Sequence, residues 1–381
     1  MPWRDVSPTV RRSVVLALAC AATMAQAAPA TRNLFAELLG RSEAETKARI
    51  DSTWRQFTHG DPKDERLYFE AGDGTAYIAD IGSQDVRSEG MSYGMMIAVQ
   101  LDQREQFDQL WRWAKRHMQH PADGPRRGYF AWQCRFDGTQ IDPGSASDGE
   151  AWFALALFFA AHRWAPAPAR SSTLPLIDYR AEAQALLRAM RDNGRGGGIT
   201  SIFDLERKQI VFAPTREASR LTDPSYHLPH FLELWAQWDA DPEGRAFWRA
   251  CVDESRAFLR RAAHPDTGLM PEYAHFDGRP FTETTFGTGK GDFRYDAWRI
   301  LANVGVDHAW FAADPWQAEQ SDRVLRFLAR QGPEPADQYT LEGEPLSTDT
   351  SIGLGATAAV AGLAADPELA RPFVQRLWDA P

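Results

Sequence analysis

Cysteine is scarce in this 381-residue chain, basic residues are outnumbered by acidic ones, and no apolar run is long enough to cross a bilayer. Each shortage removes a class of function. Only Cys20, Cys134 and Cys251 occur, and none has a Cys or His neighbour at zinc-ligand spacing, so neither a metal nor another cofactor is expected. Cys134 and Cys251 read as buried free thiols rather than a disulfide. The formal net charge is −10 with acidic residues spread along the chain, so no basic face is available for phosphates and nucleic acid is not an expected partner. A membrane helix needs about 20 apolar residues. The run from Val14 to Met24 falls short of that. Arg4, Arg11 and Arg12 precede it and Ala25-Gln26-Ala27 follow it, which reads as an export signal over 1–27 and a periplasmic or secreted location. Cys20 has Ala17 three positions before it, where a lipid-attachment signal would carry a large apolar residue, so a lipid anchor is disfavoured. The mature chain is expected to be a monomer with no membrane partner.

Aromatic residues, by contrast, are plentiful at 12%, with 14 Trp. Most are assigned to the core, but flat apolar rings beside carboxylates also suit the faces of sugar rings. The periodicity predicts an all-α chain, with helices at 33–57, 89–101, 103–119, 148–164, 178–193, 224–238, 243–262, 293–304, 315–331, 350–365 and 367–378. Short extended pieces at Ala76 to Asp80 and Gln209 to Phe212 are placed at the rim. Ser88, Asp148 and Asp223 each precede a predicted helix and read as N-caps. No Pro/Ser-rich linker interrupts 33–378, so one domain is favoured over two.

Hydrolysis of a glycosidic bond by inversion requires a carboxylic acid on the leaving oxygen and a carboxylate about 6.5–9.5 Å away that activates water. Glu89 is the first candidate, in Ser88-Glu89-Gly90-Met91-Ser92-Tyr93-Gly94-Met95-Met96, where Met and Tyr can desolvate it and raise its pKa while the helix dipole opposes that.

This stretch resembles the signature of glycoside hydrolase family 8. The resemblance continues through Gly128-Tyr129-Phe130-Ala131-Trp132, Ser147-Asp148-Gly149-Glu150, Asp223-Pro224-Ser225-Tyr226-His227-Leu228-Pro229 and Tyr295-Asp296-Ala297-Trp298-Arg299, and covers about 33–365. It implies an (α/α)6 barrel and makes 28–381 a catalytic domain that hydrolyses β-1,4-linked chains with inversion. Matched residue by residue, it makes Glu89 the proton donor, Asp296 the base and Asp148 a third acidic residue at the cleavage subsite. Tyr226 matches a tyrosine near the reacting sugar, while Trp132 and Tyr93 are candidates for sugar stacking. Arg299 is read as a structural partner of a carboxylate. Family members usually continue past the segment matching 366–381 with a further helix, and eleven predicted helices fall one short, which implies a barrel that either lacks its final helix or closes differently.

Within the family the likeness is greatest to the reducing-end xylose-releasing exo-oligoxylanases, which implies xylo-oligosaccharide substrates. Those relatives carry a histidine shortly before a Gly-Leu pair that closes the cleft, where this sequence has Thr350 before Gly353-Leu354. Endo-acting glucanase, xylanase or chitosanase activity therefore stays open. So does a non-catalytic carbohydrate-binding accessory role, although both catalytic carboxylates are present. Lyases and epimerases on similar barrels act on acidic sugars, which a negative chain disfavours.

Overall fold

The computed structural model describes residues 32–164, 175–192 and 194–381, so the export signal read at 1–27 lies outside the described residues. Twelve α-helices are found among them: α1 (Leu34–Leu39), α2 (Glu43–His59), α3 (Ser88–Gln100), α4 (Arg104–Trp113), α5 (Ser147–Arg163), α6 (Tyr179–Arg191), α7 (Pro229–Trp238), α8 (Pro242–Ala262), α9 (Arg299–Phe311), α10 (Trp316–Arg330), α11 (Ile352–Ala361) and α12 (Pro367–Asp379). The predicted helix at 33–57 is thus two. Gly40 ends α1 at φ 67°, a left-handed conformation that costs glycine little, and the Ser42–Glu45 capping box restarts the chain as α2. That division accounts for the count of eleven and corrects it to twelve.

Sequence pattern explains the layers. Helices α4, α6, α8, α10 and α12 bury one apolar stripe each, the signature of an outer helix with one wet face. Helices α3 and α5 bury residues on most of their circumference, as inner helices must. Contacts run α3 to α5, α5 to α7, α7 to α9 and α9 to α11, and each of these helices also packs on the helix that follows it. This is the α/α barrel the resemblance implies. Two glycines set the spacing of the inner layer. A Cβ on Gly149 would lie 2.6 Å from Ser88 Oγ, so α3 and α5 touch at their first turns, and one on Gly305 would lie 2.6 Å from Val360 O, where α9 meets α11. Ile50 of α2, Ile97 of α3 and Ile352 of α11 are exposed.

Strand is confined to short rim pieces, as the sequence suggests. β1 (Tyr68–Gly72) pairs with β2 (Thr75–Ile78), β3 (Val86–Arg87) with β4 (Gln133–Cys134), β4 with β5 (Gln140–Asp142), and β6 (Phe203–Asp204) with β7 (Gln209–Ile210), all antiparallel. The β3–β5 sheet anchors the chain just before α3. Cys134 and Cys251 are both buried and free.

Candidate active site

Four inner helices begin at one place. Glu89 sits in the first turn of α3, Asp148 in the first turn of α5, a 3-10 turn at Pro224–Tyr226 precedes α7, and a second at Tyr295–Trp298 leads into Arg299, the first residue of α9. Two of the expected caps are corrected here. Ser88 and Asp148 lie inside their helices, after Arg87 and Ala146, and neither of these helices has a side-chain cap hydrogen bond. Their side chains are taken up by the site instead. Asp223 does cap its turn, accepting from Ser225 N at 2.7 Å.

Arg299 is the hub. Its Nη1 donates to Tyr93 Oη at 2.8 Å and to Asp148 Oδ2 at 3.0 Å, and its Nη2 donates to Ser225 Oγ at 2.9 Å. The same Nη2 lies 3.2 Å from Asp296 Oδ1 and 3.8 Å from Asp223 Oδ2. Its guanidinium carbon stands 5.5 Å from the centre of the Tyr226 ring, within cation–π reach. One cation therefore faces three aspartates. The reading of Arg299 as a carboxylate partner thus has three partners in the structure.

Such crowding governs the protons. Burial first, and then the charge of Asp148, push Glu89 up to about 8, so that it carries a proton at neutral pH, and Ser88 Oγ donates to its Oε2 at 3.2 Å. Asp148 is raised to about 6 by burial, against the pull of Arg299, and its Oδ1 has no hydrogen-bond partner. Asp223 is pushed well up by burial and by Asp296. Asp296 is the open member, with its side chain 39% exposed. Tyr295, just before it, holds φ 40° and is exposed, a left-handed conformation that costs a non-glycine residue about 1–2 kcal/mol and turns the chain into α9.

The aromatic candidates separate. Trp132 is pinned beside Glu89, because its carbonyl accepts from Ser88 N at 3.0 Å, and its ring lies under the Arg87 guanidinium. The Tyr93 ring packs edge-on against Trp152, with its hydroxyl committed to Arg299. Tyr226 is buried between Arg299 and Phe212. Sequence reasoning missed three acidic groups here. Asp223 was read only as a cap. Glu150 is fully buried, with Oε1 accepting from Phe130 N at 3.0 Å and Oε2 unpartnered, and Glu272 takes Lys290 Nζ at 2.5 Å. For Glu150 and Asp223 the signal was proximity to matched residues, since Glu150 follows Asp148 by two and Asp223 precedes Tyr226 by three, while Glu272 had none. No group of three or more His, Cys, Asp or Glu side chains placed to hold a metal ion is found among the described residues.

This geometry has counterparts. The family described as glycosyl hydrolases family 8 matches residues 69–193 and 205–381. The chain belongs to that family. It is 45% identical over 354 residues to the reducing-end xylose-releasing exo-oligoxylanase of Paenibacillus barcinonensis, covering 92% of this chain and 89% of that enzyme. An enzyme of the same description from Halalkalibacterium halodurans is 43% identical over 353 residues, 92% of this chain and 87% of that one. Among solved structures, the Paenibacillus enzyme complexed with xylose matches with a TM-score of 0.83 at 44% identity, covering 92% of this chain and 89% of that one. The chain is a glycoside hydrolase with the (α/α)6 barrel of its family.

Proposed function

We propose that this enzyme releases xylose from the reducing end of β-1,4-linked xylo-oligosaccharides with inversion. The observation that carries the reading is identity of 43–45% over 92% of the chain to two enzymes named for that activity. The site supports the chemistry. Glu89, protonated at neutral pH, gives its proton to the glycosidic oxygen as the bond to the anomeric carbon breaks. Asp296, open to solvent and paired with Arg299, takes a proton from the water that attacks the opposite face. Asp148, held by Arg299, hydrogen-bonds the reacting sugar in its distorted shape. Tyr226 and Trp132 supply the sugar contacts, and Tyr93 contributes through Arg299. No step asks for a metal or cofactor.

A second reading concerns the leaving group. Thr350 is exposed, just before the Ser351 cap of α11. The acidic loop that follows Leu341 is fastened elsewhere, with Gly343 against Phe327 of α10 and Leu341 O bonded to Thr267 Oγ1 at 2.7 Å. With threonine where the resemblance expects histidine, we propose more tolerance for a second sugar on the reducing side. Reducing-end-labelled xylotetraose tests both readings. Labelled xylose alone marks a strict exo-enzyme, labelled xylobiose as well marks the wider cleft, and products from cellotetraose or chitosan but none from xylotetraose overturn the substrate.

We further propose that 1–27 directs export and that the mature enzyme acts as a monomer outside the cytoplasm. The basic start, short apolar run and Ala-x-Ala end support this. The mass of the protein recovered from the cell exterior and its sedimentation would test both.

A further inference from the structure

The Asp296 carboxylate is ion-paired, yet it accepts no hydrogen bond from any described residue. Arg299 Nη2 lies 3.2 Å from its Oδ1, close enough for an ion pair but not aligned for a hydrogen bond. That nitrogen's one hydrogen bond goes to Ser225 Oγ at 2.9 Å. Ser225 is itself fixed at three points. It is 3% exposed, its N donates to Asp223 Oδ1 at 2.7 Å, and its carbonyl accepts from Asn303 Nδ2 at 2.9 Å. Asn303 is on α9, one helical turn beyond Arg299, so the same helix carries the guanidinium and braces the residue that holds it.

We propose that Ser225 is a positioning residue for the base: its hydroxyl occupies Arg299 Nη2 and keeps the Asp296 carboxylate ion-paired but free of protein hydrogen bonds, with its lone pairs open to the attacking water. A carboxylate that accepts a charge-assisted hydrogen bond is held in its ionised form and becomes a weaker base. Arg299 is tethered through Nη1 to Tyr93 and Asp148, while its Nε has no partner, so the guanidinium can pivot about the Nη1 side. Without the Ser225 hydroxyl, Nη2 is left with the Asp296 carboxylate at 3.2 Å and that of Asp223 at 3.8 Å. The other ionisable groups that face this pair are Glu89 and Tyr93 from α3, Asp148 from α5, Tyr226 and Asp223 from the turn before α7, and Tyr273 with the Glu272–Lys290 pair. Of these groups the substitution takes a partner from Asp223 alone, whose pKa the Ser225 side chain holds down.

The inference rests on the reading of Asp296 as base, and the test separates the two. In Ser225→Ala the acid limb of kcat/KM should move to lower pH by about one unit, and kcat at the plateau should fall about tenfold with KM within about twofold, as a more tightly bonded, weaker base requires. Ser225→Thr, which keeps the hydroxyl, should leave the acid limb where the wild type has it. Ser225→Cys, with similar bulk and a weak acceptor, should shift as alanine does and serves if alanine destabilises the turn. An unmoved acid limb in both the alanine and cysteine variants, whatever happens to Tm, overturns the proposal and leaves Ser225 a packing residue. Activity retained by Asp296→Asn would instead overturn the assignment of the base.

Discussion

Arg299 and Asp148 form an ion pair at 3.0 Å across 151 residues of sequence, and the same guanidinium reaches Asp296 through its other nitrogen. The candidate base and the candidate sugar-holding aspartate are therefore set by one side chain. Moving either carboxylate means moving Arg299, and with it Tyr93 and Ser225.

Glu89→Gln and Asp296→Asn should each reduce turnover by about 10³-fold or more, since general acid and base contributions of 10²–10⁴ are typical for each group. Far-ultraviolet circular dichroism should stay unchanged. Near-normal activity in either variant would remove that residue from its role.

Arg299→Met should lose activity at least as severely and should also destabilise the fold, by about 3–5 kcal/mol as expected when one partner of a buried pair is removed. The loss should deepen with pH. Without Arg299 the folded-state pKa of Asp148 rises further above its unfolded value, so its stabilisation persists below about 4 and disappears as pH climbs through the folded pKa. Urea unfolding at pH 5 and pH 8 measures both effects.

Glu89 and Glu150 are each raised from 4.5 to about 8, with burial as the leading cause. The folded protein then binds more protons than the unfolded chain between those values, and stability should fall as pH rises through that window. Glu150→Gln keeps an oxygen to accept from Phe130 N and carries no ionisable group. It should be near-neutral in Tm at pH 5 and more stable than wild type at pH 8.5. An equal Tm difference at both values would show that Glu150 is ionised in the fold. The same shift in Glu89 predicts that kcat/KM falls above about pH 8, as the donor loses its proton.

Gly149→Ala should separate the first turns of α3 and α5, because the new methyl meets Ser88 Oγ at 2.6 Å. Overpacking of this kind costs about 1–3 kcal/mol. Because Ser88 adjoins Glu89 and Gly149 adjoins Asp148, kcat should drop more than about tenfold, a loss larger than surface glycine substitutions produce. Gly355→Ala, whose nearest neighbour would be 3.9 Å away, is the control and should be almost silent.

Fresh product from a β-linked oligosaccharide should appear first as the α-anomer, because a water placed by Asp296 attacks from the face opposite the leaving group. Proton NMR in the first minutes of reaction decides this. An initial β-anomer would point to a covalent intermediate and a different partner for Glu89.

The alternation of helix patterns was readable from sequence because burial repeats every 3.6 residues whatever the partner is, and the motif spacing of Ser88-Glu89, Ser147-Asp148 and Tyr295-Asp296 marked three of the helix starts that meet in the site. Local chemistry was readable as well, since a rim strand at Thr75–Ile78 and a cap at Asp223 depend on near neighbours. What tertiary structure alone decided were the relations between distant residues. Ser88 and Asp148 look like caps in sequence, but packing at Gly149 brings them together inside their helices and turns Asp148 to Arg299. Asp223 and Glu150 lie within matched stretches, but nothing in those stretches shows that they are buried, and burial is what raises their pKa values. Sequence fixes which groups are available within a helical turn. Desolvation and the sharing of one guanidinium by three carboxylates are properties of the assembled barrel, and they set the charge each group carries.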